Sequence, residues 1–318
     1  MLGLGVSSAS QLGGTAFALE NSILAAFKTR VLADSGVVED YACLNLDVKD
    51  LITEPAPFTT GLLEFYPGAA AAYSLRQLRR SVFPYAIRVR RANDDEQDIG
   101  FNSNGELDTN ALLDFADSGD AWVSVWYDQS SNGNHATQGT NADQPQIVDR
   151  ITGLVTENGK PAVQFTDSKF EVGSTDLYGQ TDFDAYIAYA TSDTSYILFG
   201  DSYSSGYFSY VINSGEVANT SLQSGYNETS LYVNGAEVSI DGATTTREDL
   251  YNACVLGTMT LEVHQGHTTS SWVDFKINAY NGRHLTGNVS EIILYNSDQS
   301  ANRTGIESNI NDFYSIYS

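Results

Sequence analysis

Positive charge is scarce. The chain carries 16 Lys and Arg against 40 Asp and Glu, a net charge of −24. A chain this acidic repels phosphate, which argues against a nucleic-acid partner. Cysteine is scarcer still, with Cys43 and Cys254 far apart in 318 residues. That excludes a disulfide scaffold and a cysteine-ligated metal cluster, and leaves 43–254 as the one conceivable bridge. No apolar run reaches the ~18 residues of a membrane span, so no membrane insertion is expected. The opening Met-Leu-Gly-Leu-Gly-Val has no basic stretch and no clear cleavage site, so no signal peptide is expected either. Charged residues make up 18% of the chain, below the ~25% of an average domain.

Apolar residues are present in quantity. At 42% hydrophobic and 11% aromatic, the chain can build a core despite its charge. Ser, Thr, Asn and Gly fill the place of the absent charges, which suits a β protein with many turns. At ~150 residues per domain the length allows about two domains, or one large β domain with an appendage.

Residues 1–60 differ from the rest. Gly3, Gly5, Gly13 and Gly14 make a flexible opening, and Thr15–Ala33 carries spaced apolar residues that predict a short amphipathic helix. This segment reads as a small α/β docking module, and Glu54-Pro55-Ala56-Pro57 as its boundary. The alanine run from Ala69 to Arg80 predicts a second helix, stopped at Phe83-Pro84. Six of the 16 basic residues fall between Arg76 and Arg91. Neighbouring Asp94, Asp95, Glu96 and Asp98 are their expected partners, with an anion site as the alternative.

From about residue 120 the pattern is strand, turn, strand. Strands are expected at 122–127, 162–165, 185–190, 196–199, 207–212, 230–233, 237–240, 255–263, 272–279 and 289–295, and a closing helix over 299–317. Asn158-Gly159 and Asn234-Gly235 are hairpin turn signals. Many short strands at this spacing predict a mainly β fold, a jelly-roll β-sandwich over 62–318.

Three segments carry a family resemblance. Gly68-Ala-Ala-Ala-Ala-Tyr-Ser-Leu-Arg-Gln-Leu-Arg with Ala86-Ile-Arg-Val-Arg-Arg, and Trp126-Tyr-Asp-Gln-Ser-Ser-Asn-Gly-Asn-His-Ala, resemble the catalytic-domain family of fungal α-L-arabinofuranosidase B. Gly287-Asn-Val-Ser-Glu-Ile-Ile-Leu-Tyr-Asn, with Leu231-Tyr-Val-Asn-Gly-Ala, resembles the closing strands of laminin-G or concanavalin A-like sandwiches. The combination is also similar to virion proteins of tailed bacteriophages, which share the Met-Leu-Gly-Leu-Gly type of start. That resemblance implies a virion surface protein: a capsid decoration, head fibre or tail appendage made in the host cytoplasm. It would dock to other virion proteins through residues 1–60, form a homo-oligomer and present a lectin-like domain to host or environmental glycans. The resemblance to the enzymes implies the alternative, a glycoside hydrolase of the arabinofuranosidase type; a secreted bacterial carbohydrate-binding protein is the third reading, which the missing signal peptide argues against.

A retaining hydrolase needs two carboxylates about 5–5.5 Å apart. Asp182, Asp184, Asp201, Glu291 and Asp128 are the candidates, and no motif pins a pair among them. The resembled enzymes use adjacent cysteines at the sugar site, a feature that Cys43 and Cys254 do not supply. The expectation is therefore a binder with no catalytic residue. Asp128, Asn132, Gly133, Asn134 and His135 read as a structural loop, since Asp and Asn cap their own backbone in turns and Gly133 allows positive φ. Asp128 with nearby carbonyls is also a candidate Ca²⁺ site, and no other cofactor is expected. His264 and His267 suggest a zinc pair at first sight, but i and i+3 on a strand face opposite sides, so they read as loop histidines. Tyr203, Tyr207 and Trp272, on loops around 201–207 and 264–272, are the candidate glycan-binding residues.

Overall fold

The computed structural model describes residues 60–80, 84–201, 207–212, 229–238, 247–278 and 284–318. For 195, 207–212 and 247–249 it describes the backbone alone. All belong to one compact unit, Pro55–Ser318. The expected docking segment, its Thr15–Ala33 helix and Cys43 lie outside the described residues.

Two antiparallel layers form a β-sandwich. The first runs Ala236–Val238, Ser230–Val233, Met259–His267, Phe183–Thr191, Gly287–Tyr295, then Ala71–Ser74 and Val163–Phe165 side by side. The second runs Glu96–Gly100, Tyr85–Arg91, Ala121–Trp126, Ala136–Thr137, Phe170–Val172, Phe275–Ile277, Ser195–Gly200 and Tyr207–Ile212. Gln146 on Gln146–Asp149 pairs with Gln164 and joins the layers at one edge. Tyr73, Trp126, Phe165, Phe170, Phe199, Phe275, Ile292 and Leu294 fill the space between them.

The first layer is also covered on its outer face. Along Phe183–Thr191, Ala185, Ile187 and Tyr189 point between the layers, while Tyr186 and Ala188 point outward. Every residue of this strand is buried, so the usual apolar–polar alternation is lost. The cover is the closing helix, Arg303–Tyr314, whose Ile306, Ile310 and Tyr314 are buried beside Leu62 and Leu63. Each such side chain contributes about 1.5–3 kcal/mol when taken from water.

The helix expected over Ala69–Arg80 is not formed. Ala71–Ser74 is instead a strand paired with Leu294, Ile293, Ile292 and Glu291. Ala71 and Tyr73 face the inner core and Ala72 the outer one. Alanine's helix preference is worth under about 1 kcal/mol per residue, and two-sided burial overrides it. The expected 255–263 strand begins only at Met259, because Arg247–Ala253 forms a helix and Gly257 takes a turn at φ +74°. Three of the six basic residues are neutralised as expected: Arg88 grips Asp98 through two bonds, Arg90 meets Asp94, and Arg91 meets Asp95. Arg76 departs from this pattern and pairs with distant Glu291. The two hairpin signals are turns, with Asn158, Gly159, Asn234 and Gly235 all at positive φ.

Candidate functional site

The loop after Ala121–Trp126 straps the two layers together. Asp128 is buried. Its Oδ1 accepts from the Ala72 and Ser130 backbone N–H groups at 2.9 and 2.8 Å. Its Oδ2 accepts from Ser130 Oγ at 2.7 Å and the Asn134 N–H at 3.0 Å. Ala72 belongs to the first layer and Asp128 leaves the second, so this carboxylate bridges them. Gln129 adds to the strap. Its side-chain amide donates to the Ser74 and Arg76 carbonyls and its Oε1 accepts from the Leu78 N–H. Asn132 Nδ2 donates to the Ala69 and Ala70 carbonyls, and Asn134 Nδ2 to the Ala70 carbonyl and Asp176. His135 Nδ1 accepts from the Asp128 N–H, and burial holds this imidazole below its usual pKa. Gly133 sits at φ +78° and Ser131 at φ +89°, which lets the chain reverse. Both oxygens of Asp128 are thus engaged by N–H and O–H donors, and no group of metal-ligating side chains occurs among the described residues.

A cleft of about 310 Å³ opens beside this loop, lined by Gly68, Ala69, Ala70, Arg79, Ser130, Ser131, Asn132, Asp176 and Asn296. Another, of about 330 Å³, lies at the other end of the Gly287–Tyr295 strand and presents Glu157, Asp193 and Asn288.

The candidate carboxylates are tied into the framework. Glu291 is buried and gripped by Arg76 Nε and Nη2 at 2.7 and 2.8 Å, with Ser74 Oγ also donating to it at 2.7 Å. Asp184 is buried and accepts from the Gly266 and Gln299 N–H groups and from Gln265 Nε2. Burial raises the Asp184 pKa, against the pull of those donors. Glu291 lies opposite Ala188 and Asp184 opposite Tyr295. Four residues of strand separate the two, about 13 Å at ~3.3 Å per residue. That exceeds the roughly 5–9.5 Å of hydrolase pairs, and the closing helix covers the face they share. Asp201 is buried and Asp182 half-buried, at the ends of their strands.

Of the candidate glycan residues, Trp272 is the one whose side chain is described. Tyr203 lies outside the described residues, and Tyr207 begins the Tyr207–Ile212 strand. Trp272 is buried, its ring stacked on Phe275 and edge-on to His267, so the indole belongs to the core and not to an open surface. His264 and His267 are not loop residues: both lie buried on Met259–His267.

One cluster was not foreseen. Glu262, fully buried, accepts from Tyr189 OH at 2.6 Å and lies 2.5 Å from His264 Nε2. Tyr189 OH also meets Tyr196 OH at 2.7 Å and approaches Cys254 Sγ at 3.6 Å. Burial, with Glu262 nearby, pushes the Cys254 thiol up to about 12. The signal lay in Thr-Leu-Glu-Val-His. Its polar residues alternate as on a wet face, but Leu261 and Val263 meet the outer core, leaving Glu262 and His264 to point between the layers.

No family model matches this chain, and no curated protein matches it. Solved structures do. An arabinofuranosidase complexed with arabinofuranosyl-α-1,2-xylobiose superposes with a TM-score of 0.51 at 14% identity. A GH54 α-L-arabinofuranosidase soaked with a cyclic sulfate inhibitor gives the same values, 0.51 and 14%. A mutant GH54 α-L-arabinofuranosidase soaked with 4-nitrophenyl α-L-arabinofuranoside gives 0.50 and 14%. Each match covers 78% of this chain but only 64% of the enzyme. None of these neighbours is a virion protein. At this identity the likeness establishes architecture: the chain has the β-sandwich fold seen in arabinofuranosidases.

Proposed function

We propose that this chain is a carbohydrate-recognising sandwich of arabinofuranosidase architecture, which binds arabinofuranosyl-bearing glycans without cleaving them. One observation carries the reading. The fold matches enzymes captured with arabinofuranosyl ligands, while Asp128, Asp184 and Glu291 are hydrogen-bonded into the framework as structural groups. Display on a larger particle through residues 1–60 is part of the proposal. A chain starting at Leu62 should fold and bind glycan but fail to join such an assembly.

Hydrolysis is the second reading. It is favoured by the enzymatic nature of the solved neighbours. Incubation with 4-nitrophenyl α-L-arabinofuranoside and with arabinoxylan decides between the two. Retention on arabinoxylan with no nitrophenol released supports the binder. Nitrophenol release, or shortening of arabinoxylan, by the folded chain establishes the hydrolase.

A further inference from the structure

We propose that the cleft between Gly68–Ala70 and Ser130–Asn132 holds one neutral sugar unit, an inference that rests on the carbohydrate reading above and gives it a place. At about 310 Å³ it lies at the lower end of ligand-sized clefts, roughly 300–1,000 Å³.

The charges in its wall select the ligand. Arg79 spends Nη1 on the Ser130 carbonyl at 3.0 Å and on Ser131 Oγ at 3.2 Å. Its Nε and Nη2 meet no partner among the described residues. Asp176 receives Asn134 Nδ2 on Oδ2 at 3.1 Å, and its Oδ1 meets no partner among the described residues. Arg79 and Asp176 line the same cleft but form no ion pair with each other. A bare cation would meet the guanidinium, and an anion would meet the carboxylate. A neutral polyol suits both, because each hydroxyl can accept from Arg79 and donate to Asp176.

The amides extend the pattern. Asn132 makes both of its side-chain bonds through Nδ2, to the Ala69 and Ala70 carbonyls, which leaves Oδ1 as an acceptor. Asn296 likewise uses Nδ2, donating to the Asp176 carbonyl at 3.4 Å, and keeps Oδ1 open. One donor fork and several fixed acceptors therefore surround a floor of Gly68, Ala69 and Ala70. Gly68 has φ +93° and open space where a Cβ would stand, so the floor is low there. The strap formed by Asp128 and Gln129 holds this wall rigid, which cuts the entropic cost of binding.

No aromatic ring lines the cleft, so binding is polar and weak, with a Kd of about 1 mM for a single sugar. The test is calorimetric or NMR titration of the full chain with methyl α-L-arabinofuranoside. Glucuronate and Ca²⁺ serve as charged probes. Asn296→Ala alters an exposed residue and should keep the wild-type melting temperature; Arg79→Met keeps the apolar stem and should fold, melting a few degrees early for the two bonds it gives up. Each should weaken the neutral sugar about 5-fold or more, the equivalent of one lost hydrogen bond. Asp193→Asn, in the acidic cleft at the other end of the strand, should change nothing. Preferential binding of glucuronate or Ca²⁺ at this cleft overturns the assignment. If the sugar binds Arg79→Met as tightly as wild type, or loses binding in Asp193→Asn, this site is wrong while the carbohydrate reading stands. If neither the sugar nor arabinoxylan binds wild type, both fall.

Discussion

Replacing Asp128 should separate the strap's hydrogen bonds from its shape. Three backbone N–H groups, those of Ala72, Ser130 and Asn134, depend on its two oxygens, together with Ser130 Oγ. In Asp128→Ala all three N–H groups lose their acceptor, while the Ser130 hydroxyl can turn elsewhere. An unsatisfied buried donor costs about 1–3 kcal/mol, so a loss of about 4 kcal/mol is expected once some water enters. Asp128→Asn keeps Oδ1 for Ala72 and Ser130 but sets an NH₂ against the Asn134 N–H, a loss of about 1–3 kcal/mol. At roughly 2–4 °C per kcal/mol for a domain of this size, Asp128→Ala should melt about 8–16 °C early and Asp128→Asn about 2–12 °C early. Differential scanning calorimetry reads both. Excess Ca²⁺ or chelator should leave the wild type unmoved, because donors already occupy both oxygens. A loss below about 1 kcal/mol for Asp128→Ala, or a Ca²⁺-dependent rise that this variant abolishes, would refute the strap and make the loop a metal site.

Arg76→Met should cost about 3–5 kcal/mol by stranding the Glu291 charge, and Arg76→Met with Glu291→Leu should recover much of it, as chemical denaturation will show. Burial raises the pKa values of Asp184 and Glu307, so their ionisation opposes folding. Stability from these groups is full below the ordinary carboxylate range and is lost as pH rises through their raised values. Melting temperature should therefore rise on mild acidification from neutrality, and Glu307→Gln should flatten that rise. Asp98 acts oppositely, because Arg88 lowers its pKa, so its contribution disappears at strong acid. Cys254, buried with a pKa near 12, should ignore thiol reagents in a folded Cys43→Ser variant until denaturant is added.

The sandwich was legible where local chemistry and final burial agree. Asn158-Gly159 and Asn234-Gly235 adopt the positive φ that a two-residue hairpin demands, and the Tyr207–Ile212 and Ser230–Val233 strands lie where they were expected. It failed where the third dimension reverses a local preference. The alanines from 69 to 72 read as helix because nothing in their spacing reveals a layer on each side. The carboxylates failed for a related reason. Glu291 and Arg76 are 215 positions apart, so no window of sequence shows that this acid is already paired. Glu262 was invisible because strand alternation gives two faces without saying which is wet. Asp128, Asn134 and Gly133 were read from turn chemistry that stays local. Their partners at Ala70 and Ala72 could not be, and these partners make the loop a bridge between layers.

The central claim is that an arabinofuranosyl glycan is held intact in the cleft beside this loop. A crystal of the chain soaked with arabinofuranosyl-α-1,2-xylobiose tests it most directly. Density is expected for an unbroken sugar chain with its terminal unit between Arg79, Asp176 and Asn296. A cleaved glycosidic bond, or a sugar seated elsewhere with this cleft empty, would contradict it.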